Sequence, residues 1–288
     1  MASVQESFLV RPASTAAHGN RPRSWPVVGT PPLGLALPVG LLVVWQVASA
    51  LGLLLPTIFP APLAVVGTLV DLTVHHALAF DFFDSLKRIL VGFVIGATGG
   101  VILGGAVGYF RIAERVVDGT VQALRSIPAV AWIPFLIISL GIEDRSKIAL
   151  LAIATFFPVY INAFAGVRST DQKLIELTRA YRLPRFLVMR KVLFPSALPQ
   201  LFVGLRLAAG IAWVAATFSE ILFGNTGLGV VLNDGRSLGR PDQTVAVMLI
   251  LAVAGKGTDS LIRALERRLT GWRTTFDGVG GSERRLSA

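Results

Sequence analysis

The sequence predicts an all-α integral membrane protein that crosses the bilayer six times. Two observations carry that expectation. The 288 residues are 53% hydrophobic and only 15% charged, with a mean hydropathy of +0.67, which is too apolar for a soluble domain of this length. The charges fall in short clusters between apolar runs, and several runs reach the roughly 20 residues that a helix needs to span a hydrocarbon core about 30 Å thick. The net charge of +10 would point to nucleic acid in a soluble protein. Charge segregated between apolar runs reports membrane orientation instead, and no nucleic-acid partner is expected. The chain has no cysteine, which excludes disulfides, thiolate metal sites and cysteine nucleophiles.

Residues 1–30 are rich in Pro, Ser, Ala and Arg without periodicity and read as a disordered arm. The first apolar run, Leu33–Leu55, stops before Pro56, Pro60 and Pro62, because proline cannot continue a helical backbone ladder. Arg21 and Arg23 ahead of this run, with Ala48-Ser49-Ala50 inside it, also fit a signal peptide and its cleavage site. The run continues through Leu55 and the segment before it is long for such a peptide, so an uncleaved span is expected. Leu63–Phe83 is apolar but carries Asp71, His75, His76 and Asp81, with Asp84 just beyond, and reads as an amphipathic helix at the outer surface.

Five further spans are expected over Ile89–Phe110, Val121–Leu140, Ile148–Val167, Ala197–Phe223 and Thr244–Ile262. The second span places Gly92, Gly96, Gly100, Gly104 and Gly108 at every fourth position, a smooth stripe that lets helix backbones approach. The third contains Pro128 and Pro134, where the helix should kink or break. Kinked helices line cavities in transport proteins, and membrane helices also tolerate proline without any such role. No internal repeat is visible, so residues 31–272 read as one membrane domain and 273–288 as a tail.

With the N-terminus placed inside, 19 basic residues fall in inner segments and 6 in outer ones. That asymmetry predicts a multi-pass protein of a bacterial cytoplasmic membrane with both termini cytoplasmic.

The segment 168–199 is too long and too polar for a minimal turn between spans. Seven basic residues stand against Asp171 and Glu176, and Leu174, Ile175, Leu177 and Tyr181 are spaced for a short amphipathic helix. A second short helical stretch, Arg185–Phe194, is expected before Pro195 and Pro199. Two small helices on the cytoplasmic face would make a docking surface; a basic loop lying on anionic lipid is the other reading.

The run Glu176-Leu177-Thr178-Arg179-Ala180-Tyr181-Arg182, followed by Val192-Leu193-Phe194-Pro195 and Ala197-Leu198-Pro199, resembles the cytoplasmic EAA loop of binding-protein-dependent ABC importer permeases. Ser85-Leu86-Lys87-Arg88-Ile89-Leu90-Val91-Gly92-Phe93, Arg125-Ser126-Ile127-Pro128, Gly141 and Gly227-Leu228-Gly229 are similar to the branch importing aliphatic sulfonates, taurine or nitrate. The similarity runs from about Leu41 to Trp272. It implies the six-helix type I importer permease fold, with no cofactor on this chain and with ATP and Mg on a partner ATPase dimer. An extracytoplasmic solute-binding protein and a second copy of the permease are the other implied partners. It also implies that Glu176 and its helix enter a cleft of the ATPase; a glutamate on a solvated helix is the bland alternative. Two departures stand out: Leu177 and Thr178 replace the family's usual alanines, and Arg182 replaces its usual glycine.

Trp213, Ser219, Glu220 and Arg206 in the fifth span are candidates for a pathway or gate. Carboxylates within membrane helices are expensive and commonly functional. Glu220 could serve the pathway, or hydrogen-bond a neighbouring helix or the Gly227 loop. Because a bare carboxylate repels an anionic solute, a gate or structural role is favoured. Arg206 could attract an anion, or snorkel to phosphate head groups, which is the expectation adopted.

The chain has no complete phosphate-binding loop: Gly255-Lys256 is followed by Gly257, and Ile250 stands where the first glycine belongs. Neither His-Glu-x-x-His nor Gly-x-Ser-x-Gly occurs, so no enzyme is expected. An ATP-independent secondary transporter or channel is the alternative, and the cytoplasmic loop separates the two, since such a carrier has no use for a docking surface.

Overall fold

The computed structural model describes residues 31–75 and 78–270. The expected arm at 1–30, the tail at 273–288 and His76 lie outside them. All regular structure among the described residues is helical: α1 (Pro31–Ala50), α2 (Pro62–His75), α3 (Leu78–Tyr109), α4 (Arg111–Arg125), α5 (Ala129–Leu140), α6 (Asp144–Arg168), α7 (Gln172–Ala180), α8 (Phe186–Phe223), α9 (Leu228–Ser237) and α10 (Pro241–Leu269). The chain divides after Val43 into two compact units, the first holding the start of α1 and the second every later element.

Helices α3, α6, α8 and α10, of 32, 25, 38 and 29 residues, are long and apolar enough to cross a membrane. The third expected span is not one helix. It is broken at Ser126-Ile127-Pro128, so that α4 and α5 meet at 91°; Pro128 has no N–H to continue α4, while Pro134 sits in the first turn of the α-helical part of α5, where a missing donor is harmless. With α4 and α5 taken as one span, α1 supplies the sixth apolar segment. It ends at Ala50, five residues before the expected Leu55, because Gly52 turns left-handed at φ +71° and Leu53 N–H closes back on Ala48 O at 3.0 Å.

Two other expectations change. The amphipathic stretch Leu63–Phe83 is divided between α2 and the first turns of α3. The expected separate helix Arg185–Phe194 is instead the start of α8, joined to it through a π-helical turn at Met189–Leu193.

The glycine stripe positions α3 directly on α6. A Cβ on Gly96 would strike Thr155 Oγ1 and Ala152 O, and one on Gly104 would strike Tyr160 O. At Gly100 a Cβ would lie 2.8 Å from Phe156 O and 2.9 Å from Tyr160 N. Backbone meets backbone along the whole stripe, which maximises dispersion contact where lipid offers no hydrophobic gain. On its other side α6 meets α8 in the same manner, with Gly166 against Ala197 and Gly204 against Asn162. Asn162 fixes that second contact: its Nδ2 donates to Pro158 O at 2.8 Å and its Oδ1 accepts from Gln200 Nε2 at 2.9 Å. Helix α4 is held to α6 by the buried Tyr160, whose hydroxyl donates to Asp118 at 2.9 Å, and by an Arg168–Glu114 ion pair.

Candidate functional site

Two regions hold the residues singled out by sequence. The first is α7, which stands between the two long helices α6 and α8. Asp171 caps its start, its Oδ1 accepting from Lys173 N–H at 2.9 Å. Its end is a Schellman closure: Leu183 N–H donates to Thr178 O and Arg182 N–H to Arg179 O, each at 3.0 Å. Arg182 adopts φ +49°, the left-handed conformation that glycine takes without penalty. The tight turn is therefore made with arginine in the glycine position.

Thr178 is buried and ties α7 to its own turn through Ile175 O at 2.7 Å. The apolar side chains point elsewhere: Leu174 is 44%, Leu177 52% and Tyr181 76% exposed. Glu176, Arg179 and Ala180 are exposed beside them. Helix α7 thus offers a naked apolar surface within a strongly basic segment.

The second region lies at the opposite end of α8. Glu220 is 2% exposed and is fully engaged. Ser85 Oγ donates to it at 2.7 Å, Arg88 Nη1 at 3.1 Å and Gly229 N–H at 2.9 Å. Arg88 continues to Asp144 at 2.8 Å, to Thr226 O at 2.9 Å and to Thr226 Oγ1 at 2.7 Å. The start of α9 enters the same network, since Gly227 N–H donates to Asp81 at 2.8 Å and Leu228 N–H to Ser85 Oγ at 2.9 Å. Three successive amides at a helix N-terminus meet two carboxylates and a hydroxyl, the arrangement that its partial positive charge favours. Gly227 takes φ +118°, and a Cβ there would strike the Glu220 carboxyl group; one on Gly229 would lie 2.6 Å from Thr217 O. That is the steric reason for Gly227-Leu228-Gly229.

The other candidates separate. Ser219 is buried and donates to Ala216 O at 2.8 Å. Trp213 is buried in the main core, stacked on Phe82 at 6.4 Å, with Nε1 donating to Thr258 Oγ1 at 3.2 Å. Arg206 pairs with an acidic partner in the bundle, its Nε donating to Asp259 of α10 at 2.8 Å. Ser85 and Arg88, the partners of Glu220, entered the sequence reading only as part of a resemblance. The signal for them was Glu220 itself, because a carboxylate inside a span requires a cation or donors nearby.

Residues 96–271 match the model of the binding-protein-dependent transport system inner membrane components. The chain belongs to that family. A Bacillus subtilis (strain 168) permease named for aliphatic sulfonates transport, SsuC, is 37% identical to this permease over 245 residues, 85% of this chain and 89% of its own length. The taurine transport system permease protein TauC of Escherichia coli (strain K12) is 30% identical over 257 residues, 86% of this chain and 92% of its own. Among solved structures, a chain of the inward-facing MetNI methionine ABC transporter matches the permease with a TM-score of 0.56 at 24% identity, over 69% of this chain and 98% of that one. The fold is the type I ABC importer permease fold. The family match spans α7 and Glu220 and begins after Ser85 and Arg88.

Proposed function

We propose that two copies of this permease form the path by which an ATP-driven importer carries a small organic sulfonate, taurine included, or nitrate across a bacterial cytoplasmic membrane. An extracytoplasmic binding protein delivers the solute, and a partner ATPase dimer binds ATP and Mg. Both termini of the permease are cytoplasmic, which puts the basic segment 168–199 on the side where ATP is available. The kinship with sulfonate and taurine permeases supports the solute class.

The observation that carries the coupling assignment is the exposed apolar face of α7, with Leu174, Leu177 and Tyr181 uncovered beside Glu176. An ATPase cleft would bury those side chains and pair the carboxylate, and a rigid α7 rooted in α6 and α8 would then move both spans as the ATPases close. An ATP-independent carrier gives this face nothing to do. Glu220 acts in this scheme as a structural node, since its acceptor capacity is spent on Ser85, Arg88 and Gly229.

Glu176→Lys and Ala180→Trp test the assignment by charge and by shape. At matched permease levels each is expected to lower both pull-down of the ATPase and solute uptake at least tenfold, equivalent to about 1.4 kcal/mol. Retained association and uptake in both variants overturn it.

A further inference from the structure

We propose that an apolar groove between α3, α6 and the π-helical start of α8 holds an acyl chain of an anionic phospholipid, whose head group is bound by Arg111, Arg190 and Lys191. The groove has a volume of about 360 Å³ and is walled by Val101, Gly105, Tyr109, Val167, Met189 and Leu193, with other apolar side chains between them. It offers almost no polar atom to a hydrophilic solute, which sets it apart from a pathway for a small anion.

Three features point to lipid. The first is depth. From Val101 to Tyr109 the wall runs eight residues of α3, about 12 Å of helix rise, close to the half-thickness of a hydrocarbon core about 30 Å thick. The second is the level at which the groove ends. Tyr109, packed edge to face on Phe110 at 4.7 Å, lines the groove at the C-terminal end of α3, and the amphipathic tyrosine ring marks the level of lipid head groups. The third is charge. Arg111 follows Phe110 directly, and Arg190 and Lys191 lie between the wall residues Met189 and Leu193; all three are exposed. Cations beside an anionic leaflet are attracted to its head groups.

The local backbone builds the space. Gly105 contributes no side chain, and a Cβ placed on it would meet nothing within 4 Å. The π-helical turn at Met189–Leu193 inserts a wider turn of α8 beside it, a distortion that recurs at functional positions. A second copy of the permease is the competing occupant. A two-fold contact through this face sets each patch against its own image, which would oppose Arg190 and Lys191 to themselves, whereas a phosphate neutralises them.

The test uses the intact full-length permease in nanodiscs of phosphatidylcholine and phosphatidylglycerol at three to one, with lipids retained after detergent exchange counted by native mass spectrometry. The ratio of phosphatidylglycerol to phosphatidylcholine among the retained lipids is expected to exceed the bulk ratio at least fivefold. Gly105→Leu, which fills open space, should abolish the retained lipid. The pair Arg190→Gln and Lys191→Gln should leave a lipid bound but return its composition to the bulk ratio. Retention at the bulk ratio in the unaltered protein overturns the proposal. So does a disulfide-linked dimer formed through Ala106→Cys in this otherwise cysteine-free chain, which would place a second copy at the groove.

Discussion

Glu220 of α8 is held by groups from two other elements, Ser85 and Arg88 of α3 and Gly229 of α9. Removing one member of a buried ion pair leaves the other desolvated and unpaired. Glu220→Ala should therefore destabilise the permease by about 3–5 kcal/mol, and Arg88→Ala by a similar amount. The double variant should fall well short of the sum, since the two side chains share one network. Thermal unfolding in detergent, followed alongside membrane abundance, checks both statements. If Glu220→Ala unfolds like the parent protein, the node is not structural. At Arg182 the expected change has the opposite sign. A non-glycine residue in the left-handed region carries a penalty of roughly 1–2 kcal/mol, so Arg182→Gly should tighten the end of α7. Exchange of the Leu183 amide, whose partner is Thr178 O, should slow about fivefold for each kcal/mol recovered. Faster exchange would show that the arginine side chain supplies more than the turn takes away.

At the scale of elements, a close backbone approach along α3 was legible in the sequence, because small residues at every fourth position form one face of a helix, but not that α6 is the helix that approaches. Which glycines matter required the partner helix. Gly104 and Gly105 are neighbours with the same intrinsic preference, yet a Cβ on Gly104 strikes Tyr160 O while one on Gly105 meets open space. Gly104→Ala should lose about 1–3 kcal/mol through overpacking, whereas Gly105→Ala should gain about 0.5–1 kcal/mol from reduced backbone freedom. Melting temperatures of the two variants measure the difference, and equal shifts would refute the close approach of α3 to α6. The break between α4 and α5 was legible only as a possibility, since Pro128 and Pro134 look alike in the sequence. Their unequal effects follow from position: Pro128 lies where a helix would have to continue, and Pro134 where one begins.

For the whole molecule, orientation is the property that charge controls most directly, through the 19 basic residues assigned to inner segments against 6 to outer ones. Reporter fusions after Gly141 and Asn225 should read outside, and those after Thr170 and Gly271 inside; reversal at any two sites contradicts the arrangement. Hydropathy and charge alone determined the membrane class and the order of apolar segments, because each span must bury its own backbone polar groups and present apolar side chains to lipid. The segment 168–199 was visible in the same way, as polar chain too long for a turn. Tertiary structure decided the partners. Glu220 meets Ser85, 135 residues away in sequence, and Arg206 meets Asp259 of α10. The outward turn of Leu177 and Tyr181 on α7 and the merging of Arg185–Phe194 into α8 also depended on packing. Periodicity records which side of a helix is apolar, but an ion pair or a glycine contact depends on the distance between two elements, and only their packing fixes that distance.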